Sequence, residues 1–217
     1  MLRKQPLVTN EIYHIFNRSI DKLRIFTSPY DYQHLIESTQ HCLATSSIGR
    51  FSWRLRSATT SNQLKPKPEV QIIAYCLMPT HYHFILKQTR EEGISRFIGR
   101  LQNGYAKYFN VKYARNGPLW DGRFKNILVK TDEQLLHLTR YVHLNPTTSQ
   151  LCKAPEHWPY SSYLQYTQDA ISENLNLCQF KELIDMRGDE YKRFVENFIQ
   201  EQRDTAAMRT HMLFEDE

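Results

Sequence analysis

The sequence predicts an α+β fold, in which short apolar strands alternate with amphipathic helices and a mainly helical extension follows. Three observations carry this. Continuous apolar or β-branched runs of strand length are bounded by Pro, Gly and Asn. Between them, apolar residues recur every three or four positions, the spacing of a helix face. The charge also reverses near residue 150. Residues 1–150 hold 21 Lys/Arg against 10 Asp/Glu, net +11, whereas residues 151–217 hold 7 against 13, net −6. That reversal predicts a basic body over 1–150 and an acidic helical extension over 151–217. A basic body suits a polyanionic partner.

The elements follow in order. Ile12-Tyr13-His14-Ile15-Phe16 reads as a first strand, and Asn17 to Phe26 as a turn with a second short extended piece. A helix is predicted after Ser28-Pro29, with Ser28 as N-cap, Pro29 at the first helical position and Tyr32, Leu35, Ile36 and Leu43 as its apolar stripe. Residues 45–69 lack hydrophobic periodicity, and their polar stretch 56–68 reads as a loop; Phe51 and Trp53 pack locally or form a short strand. Val70 to Met78 is an apolar central strand, broken by Pro79-Thr80 and resumed from His81 to Lys87. A helix from about Glu91 or Ser95 to Tyr108 or beyond carries Ile94, Phe97, Ile98, Leu101, Tyr105 and Tyr108 on one face. After the turn-rich stretch 115–125 come a strand over 126–129 and a helix capped by Thr131. That helix is expected to stop near Asn145, because Pro146 disfavours helical geometry just before it. Residues 151–217 read as two or three helical pieces with a break at Trp158-Pro159.

Several classes are set aside at this stage. No stretch reaches the ~18–20 apolar residues of a membrane span. Met1 to Pro6 lacks the apolar core of a secretory signal, so a cytoplasmic location without a membrane partner is expected. Cys42, Cys76, Cys152 and Cys178 are too scattered for a zinc knuckle.

The chemistry begins at His81-Tyr82-His83. Strand side chains alternate, so both imidazoles leave one face and Tyr82 the other. Neutral imidazole is a common ligand for divalent metal. The helix after Thr131 sets His137, Tyr141 and Asn145 four residues apart on one face. Tyr141 is thereby a candidate nucleophile and the Asn145 carboxamide a candidate third ligand beside His81 and His83. A metal held there would bind a phosphate oxygen and polarise the phosphorus. The plain alternative for Tyr141, in a chain of 13 tyrosines, is a place in the core.

Three stretches then resemble a known family. They are Tyr75-Cys-Leu-Met-Pro-Thr-His-Tyr-His-Phe-Ile-Leu86, Gly117-Pro-Leu-Trp-Asp-Gly-Arg-Phe-Lys125 and Arg140-Tyr-Val-His-Leu-Asn-Pro146. In this order they resemble the HUH single-tyrosine transposases, and most closely the REP-associated tyrosine transposase branch, whose opening strand Tyr13-His-Ile-Phe-Asn-Arg18 also resembles. The resemblance covers about residues 10–160. It implies a ferredoxin-like antiparallel sheet with helices on one face, His81, His83 and Asn145 as ligands for Mg²⁺ or Mn²⁺, and Tyr141 as nucleophile. It further implies cleavage of single-stranded DNA beside a hairpin through a 5′-phosphotyrosine, and makes a homodimer plausible. Two departures stand out: the residue between the histidines is a tyrosine, a rival nucleophile, and the 54–69 loop is longer than is common.

For the DNA surface, backbone charge and aromatic stacking are the physical requirements. The candidates are Arg96, Arg100, Lys107, Arg115, Trp120, Arg123 and Lys125, with Arg18 near the first strand. Two other functions use the same residues. One is a structured DNA- or RNA-binding protein that does not cut; the other is a metal-dependent phosphodiesterase that uses activated water and does not need Tyr141.

Overall fold

The computed structural model describes residues 6–44, 68–168 and 176–205. The expected loop over 54–69 and the placement of Phe51 and Trp53 lie outside these, apart from residues 68 and 69. The elements run β1 (Ile12–Arg18), α1 (Pro29–Ala44), β2 (Val70–Met78), β3 (His81–Gln88), α2 (Gly93–Lys112), β4 (Lys125–Val129), α3 (Asp132–Thr148), α4 (Tyr163–Thr167) and α5 (Gly188–Glu196). Residues 199–205 are also helical. The strands form one sheet in the order β2-β3-β1-β4, with every neighbouring pair antiparallel. Two strand–helix–strand units interlock, each with a strand of the other inserted between its own two. This is the ferredoxin-like arrangement.

Strand register sorts the side chains into two faces. His14 is opposite Ile85 of β3 and Ile127 of β4, Phe16 opposite His83 and Lys125, and Arg18 opposite His81. The alternate residues Tyr13, Ile15, Tyr82, Phe84 and Leu86 are buried on the other face. There they meet α1 and α2: Phe84 packs edge-on against Phe97, and the Tyr105 hydroxyl donates to the Ile25 carbonyl at 2.6 Å. Each such side chain contributes roughly 1.5–3 kcal/mol through burial. The start of α2 needs a residue without Cβ, since a Cβ on Gly93 would lie 2.2 Å from the Glu69 carbonyl oxygen. That close approach brings the Glu69 carboxylate to Arg96 and Arg100 one and two turns along.

The third helix is the addition that matters. It packs across β2 and β3 on the face opposite α1 and α2. Its start is as expected, with the Thr131 hydroxyl accepting from the Gln134 amide. Its end is not: the helix runs on through Pro146 to Thr148. Proline removes one helical donor, but this last turn has other donors around it. Asn145 Nδ2 donates to the Tyr141 carbonyl at 2.9 Å, and Arg203 Nε to that of Thr147 at 3.1 Å. Of the turn and second short extended piece expected over Asn17 to Phe26, the turn is the 3₁₀ turn Ile20–Lys22, and residues 23–27 join no strand.

The C-terminal region closes the β2 edge. Leu77 and Tyr75 are bridged to Tyr160 and Ser162, and the Gln179 amide donates to the Ile72 carbonyl. It also grips α3 from behind. Buried His143 joins the Tyr191 hydroxyl through Nδ1 at 2.7 Å and the Ser162 hydroxyl through Nε2 at 2.8 Å. Among the described residues no helix is long and apolar enough to cross a membrane.

Candidate active site

Strand β3 delivers His81 and His83 to the face beneath α3, as their parity requires. Tyr141, one helical turn before Asn145, stands edge-on to the His83 ring, with centroids 5.9 Å apart and planes at 86°. It is 37% exposed, so the phenol is neither core nor fully solvated. The His81 and His83 rings are 5.1 Å apart.

Tyr82 is removed from contention by the same alternation. It is 1% exposed on the opposite face, packed on Phe84 and Trp120, and its hydroxyl accepts from Gln102 Nε2 at 2.8 Å. A tyrosine so placed has no route to the histidines.

Sequence reasoning missed a third imidazole. His14 of β1 is buried on the histidine face, and its Nε2 shares a hydrogen bond with His83 Nδ1 at 2.9 Å. Tyr141 also stands edge-on to it, with centroids 6.1 Å apart. The parity of β1 contained the signal, because His14 alternates with the core residues Tyr13 and Ile15. The neighbour it would meet is set by strand pairing, which a local pattern does not contain.

Burial sets the protonation of all three rings. It lowers His14 and His81 to about 4, and it holds His83 well below the ordinary imidazole range, with His14 and His81 adding to the effect. At neutral pH these are neutral imidazoles, the form that binds metal. On His81, Nδ1 is engaged with the Thr80 hydroxyl at 3.0 Å; on His83, Nδ1 is engaged with His14. Nε2 is thus the nitrogen left on each for a ligand. The hydrogen bond from Asn145 Nδ2 to its own helix likewise leaves Oδ1 as the free end of the carboxamide. Among the described residues no three His, Cys, Asp or Glu side chains are grouped to hold a metal. By chemical type, two imidazoles and a carboxamide oxygen, completed by oxygens from water or phosphate, suit a divalent ion.

The chain matches the family model described as "Transposase IS200 like" over residues 50–145. Over that segment, which is under half of its length, the chain is similar to the IS200-like transposases. The segment includes His81, His83 and Tyr141 and ends at Asn145. A curated relative, a provisionally named REP-associated tyrosine transposase of Haemophilus influenzae, is 25% identical over 104 residues. The alignment takes in 43% of this chain and 58% of that relative, so the chain spans less than two thirds of its length. Among solved structures, a REP-associated tyrosine transposase bound to a REP hairpin matches with a TM-score of 0.52 at 16% identity, covering 76% of this chain and 84% of that one. This similarity shows the shared fold.

The basic residues of the chain do not form one surface. Arg18 and Lys125 lie on the histidine face and are exposed, Arg18 paired with Asp121 at 2.7 Å. Arg123 is exposed in the turn before β4. Arg96 and Arg100 lie on α2, across the sheet, and both are committed to Glu69, at 2.9 and 2.6 Å. Lys107 is exposed on the same helix, and Arg115 bonds to Asn110 and the Gly117 carbonyl after its end. Trp120 is a correction to the expected stacking surface, being 9% exposed. The 119–121 segment pairs with the end of β1, which turns the indole inward, where Nε1 donates to the Gln102 carbonyl at 3.1 Å.

Proposed function

We propose that this protein cleaves and rejoins single-stranded DNA beside a hairpin, with Tyr141 as nucleophile. The observation that carries the reading is the position of Tyr141. It projects from a helix packed over the sheet, half-exposed, edge-on to two neutral buried imidazoles.

The Tyr141 oxygen attacks the scissile phosphorus as its proton leaves. A new P–O bond forms to the 5′ phosphate, and the bond to the deoxyribose 3′ oxygen breaks, that oxygen taking up a proton. One phosphoester replaces another, so the reverse attack by a 3′ hydroxyl rejoins strands without an external energy source. His81, His83 and Asn145 would hold Mg²⁺ or Mn²⁺, whose bound form supplies charge neutralisation at a phosphate oxygen. The hairpin preference is supported by the solved relative of the same fold, which was bound to a REP hairpin. The strand's path is assigned to the side of the histidine face that α3 leaves open, lined by Phe16, Arg18, Lys125 and Ile127.

The test is a labelled single-stranded hairpin incubated with the full chain and Mg²⁺ or Mn²⁺, then run on a denaturing gel. Wild type is expected to give a protein–DNA adduct, Tyr82→Phe to keep it and Tyr141→Phe to lose it. Cleavage that survives Tyr141→Phe would replace the tyrosine with an activated water. Binding by wild type with neither cleavage nor adduct would make the protein a structured nucleic-acid binder.

A further inference from the structure

His14 holds no place in the donor set above, yet it is buried against it. We infer that His14 is a positioning residue that holds His83 in its metal-ligating tautomer; the inference rests on the proposed metal site. Two neutral imidazoles joined through His14 Nε2 and His83 Nδ1 share one hydrogen, which belongs to one ring or the other. If His14 is the donor, the single N–H of His83 must sit on Nε2, and the nitrogen facing the site is blocked. If His83 is the donor, its Nδ1–H points to His14 and the Nε2 lone pair is free. Ligation through Nε2 therefore requires His14 to accept.

The neighbouring ligand is built the same way. His81 Nδ1 is engaged by the Thr80 hydroxyl, which accepts when that ring carries its hydrogen on Nδ1. Each imidazole thus has an acceptor behind it, and such partners fix both the tautomer and the ring orientation of a metal-bound histidine. The strand register maintains the His14 contact. With His14 opposite Ile85 and Phe16 opposite His83, His14 lies one diagonal step from His83, and its ring centroid is 5.1 Å from that of His83.

The experiment is a titration of the full chain with Mn²⁺ alone, free ion being counted by electron paramagnetic resonance. Wild type is expected to bind and His81→Ala to lose binding. His14→Leu, which offers no acceptor, is expected to bind about tenfold to a hundredfold more weakly. His14→Gln, which carries a carboxamide oxygen at the reach of Nε2, is expected to bind within a few-fold of wild type. Imidazole ¹⁵N spectra of wild type under saturating Mg²⁺ should show His83 protonated on Nδ1. Wild-type binding that His14→Leu leaves unchanged overturns the inference and spares the metal site. So does loss in His14→Gln equal to that in His14→Leu, or a His83 protonated on Nε2. Failure of wild type to bind Mn²⁺ removes the metal site, and this inference with it.

Discussion

The two faces of the sheet use the same two strands, β1 and β3, for opposite ends. Beneath α1 and α2, Tyr13, Ile15, Tyr82 and Phe84 are closed from solvent, and the hydroxyl of Tyr82 has its partner inside. Beneath α3 the alternate residues His14, Phe16, Arg18, His81 and His83 grade from buried imidazoles to exposed cations. One residue of register separates a tyrosine that packs from two histidines that can ligate. The difference teaches that stability and chemistry are assigned by strand parity here, so substitutions at adjacent positions should fail in different ways.

The largest contrast is between the tyrosines. Tyr141→Phe is expected to abolish the covalent adduct on a denaturing gel with no change in melting temperature beyond a degree or two, as the ring is retained. Tyr82→Phe should leave the adduct intact while losing the hydrogen bond from Gln102, a cost of about 1 kcal/mol in urea unfolding. An adduct that follows Tyr82 would reverse the assignment of the two faces.

A packing contrast comes next. Phe84→Ala empties a fully buried aromatic site against Phe97 and Tyr82, and it should lower the unfolding free energy by about 3–5 kcal/mol. Phe16→Ala, half-buried on the histidine face, should cost under half of that. Equal losses would mean that the histidine face is as closed as the other.

Much of this division was legible in the sequence. Periodicity located the strands and helices, and alternation within His81-Tyr82-His83 put the two histidines on one face and the tyrosine on the other. What escaped depended on contacts distant along the chain. His14 meets His83 across 69 residues through β1–β3 pairing. Trp120 sits in a turn-rich stretch that suggested exposure, but that stretch pairs with β1 and turns the indole under. Pro146 suggested a helix end, whereas donors from Asn145 and Arg203 surround the turn it interrupts. Arg96 and Arg100 have the look of a phosphate surface until Glu69, 27 residues upstream of Arg96, is placed beside them.

Acid should expose the cost of the buried rings. His143 is held down to about 3 and His14 and His81 to about 4, all by burial. An unfolded histidine titrates near 6.5. Between those values the unfolded chain binds protons that the folded chain does not, so stability falls as pH drops below about 6.5. Each group adds a slope of up to about 1.4 kcal/mol per pH unit. Chemical denaturation from pH 8 to pH 4 should show this slope, and His143→Phe should reduce it by one group's share. A stability flat down to pH 5 would mean that these rings are hydrated in solution.

The smallest effect separates cations on the two faces. If the DNA strand crosses the open part of the histidine face, Lys125, opposite Phe16 on β4, meets phosphate. Arg96 instead spends its charge on Glu69 across the sheet. Each phosphate contact adds roughly one unit to the dependence of log affinity on log salt. Lys125→Ala should thus reduce that slope for a single-stranded hairpin by about 1, measured by fluorescence anisotropy across a salt series. Arg96→Ala should leave the slope unchanged, because removing it frees no phosphate contact. If Arg96→Ala changes the slope and Lys125→Ala does not, the strand runs over α2, and the nucleic-acid surface lies on the face that the packing assigns to the core.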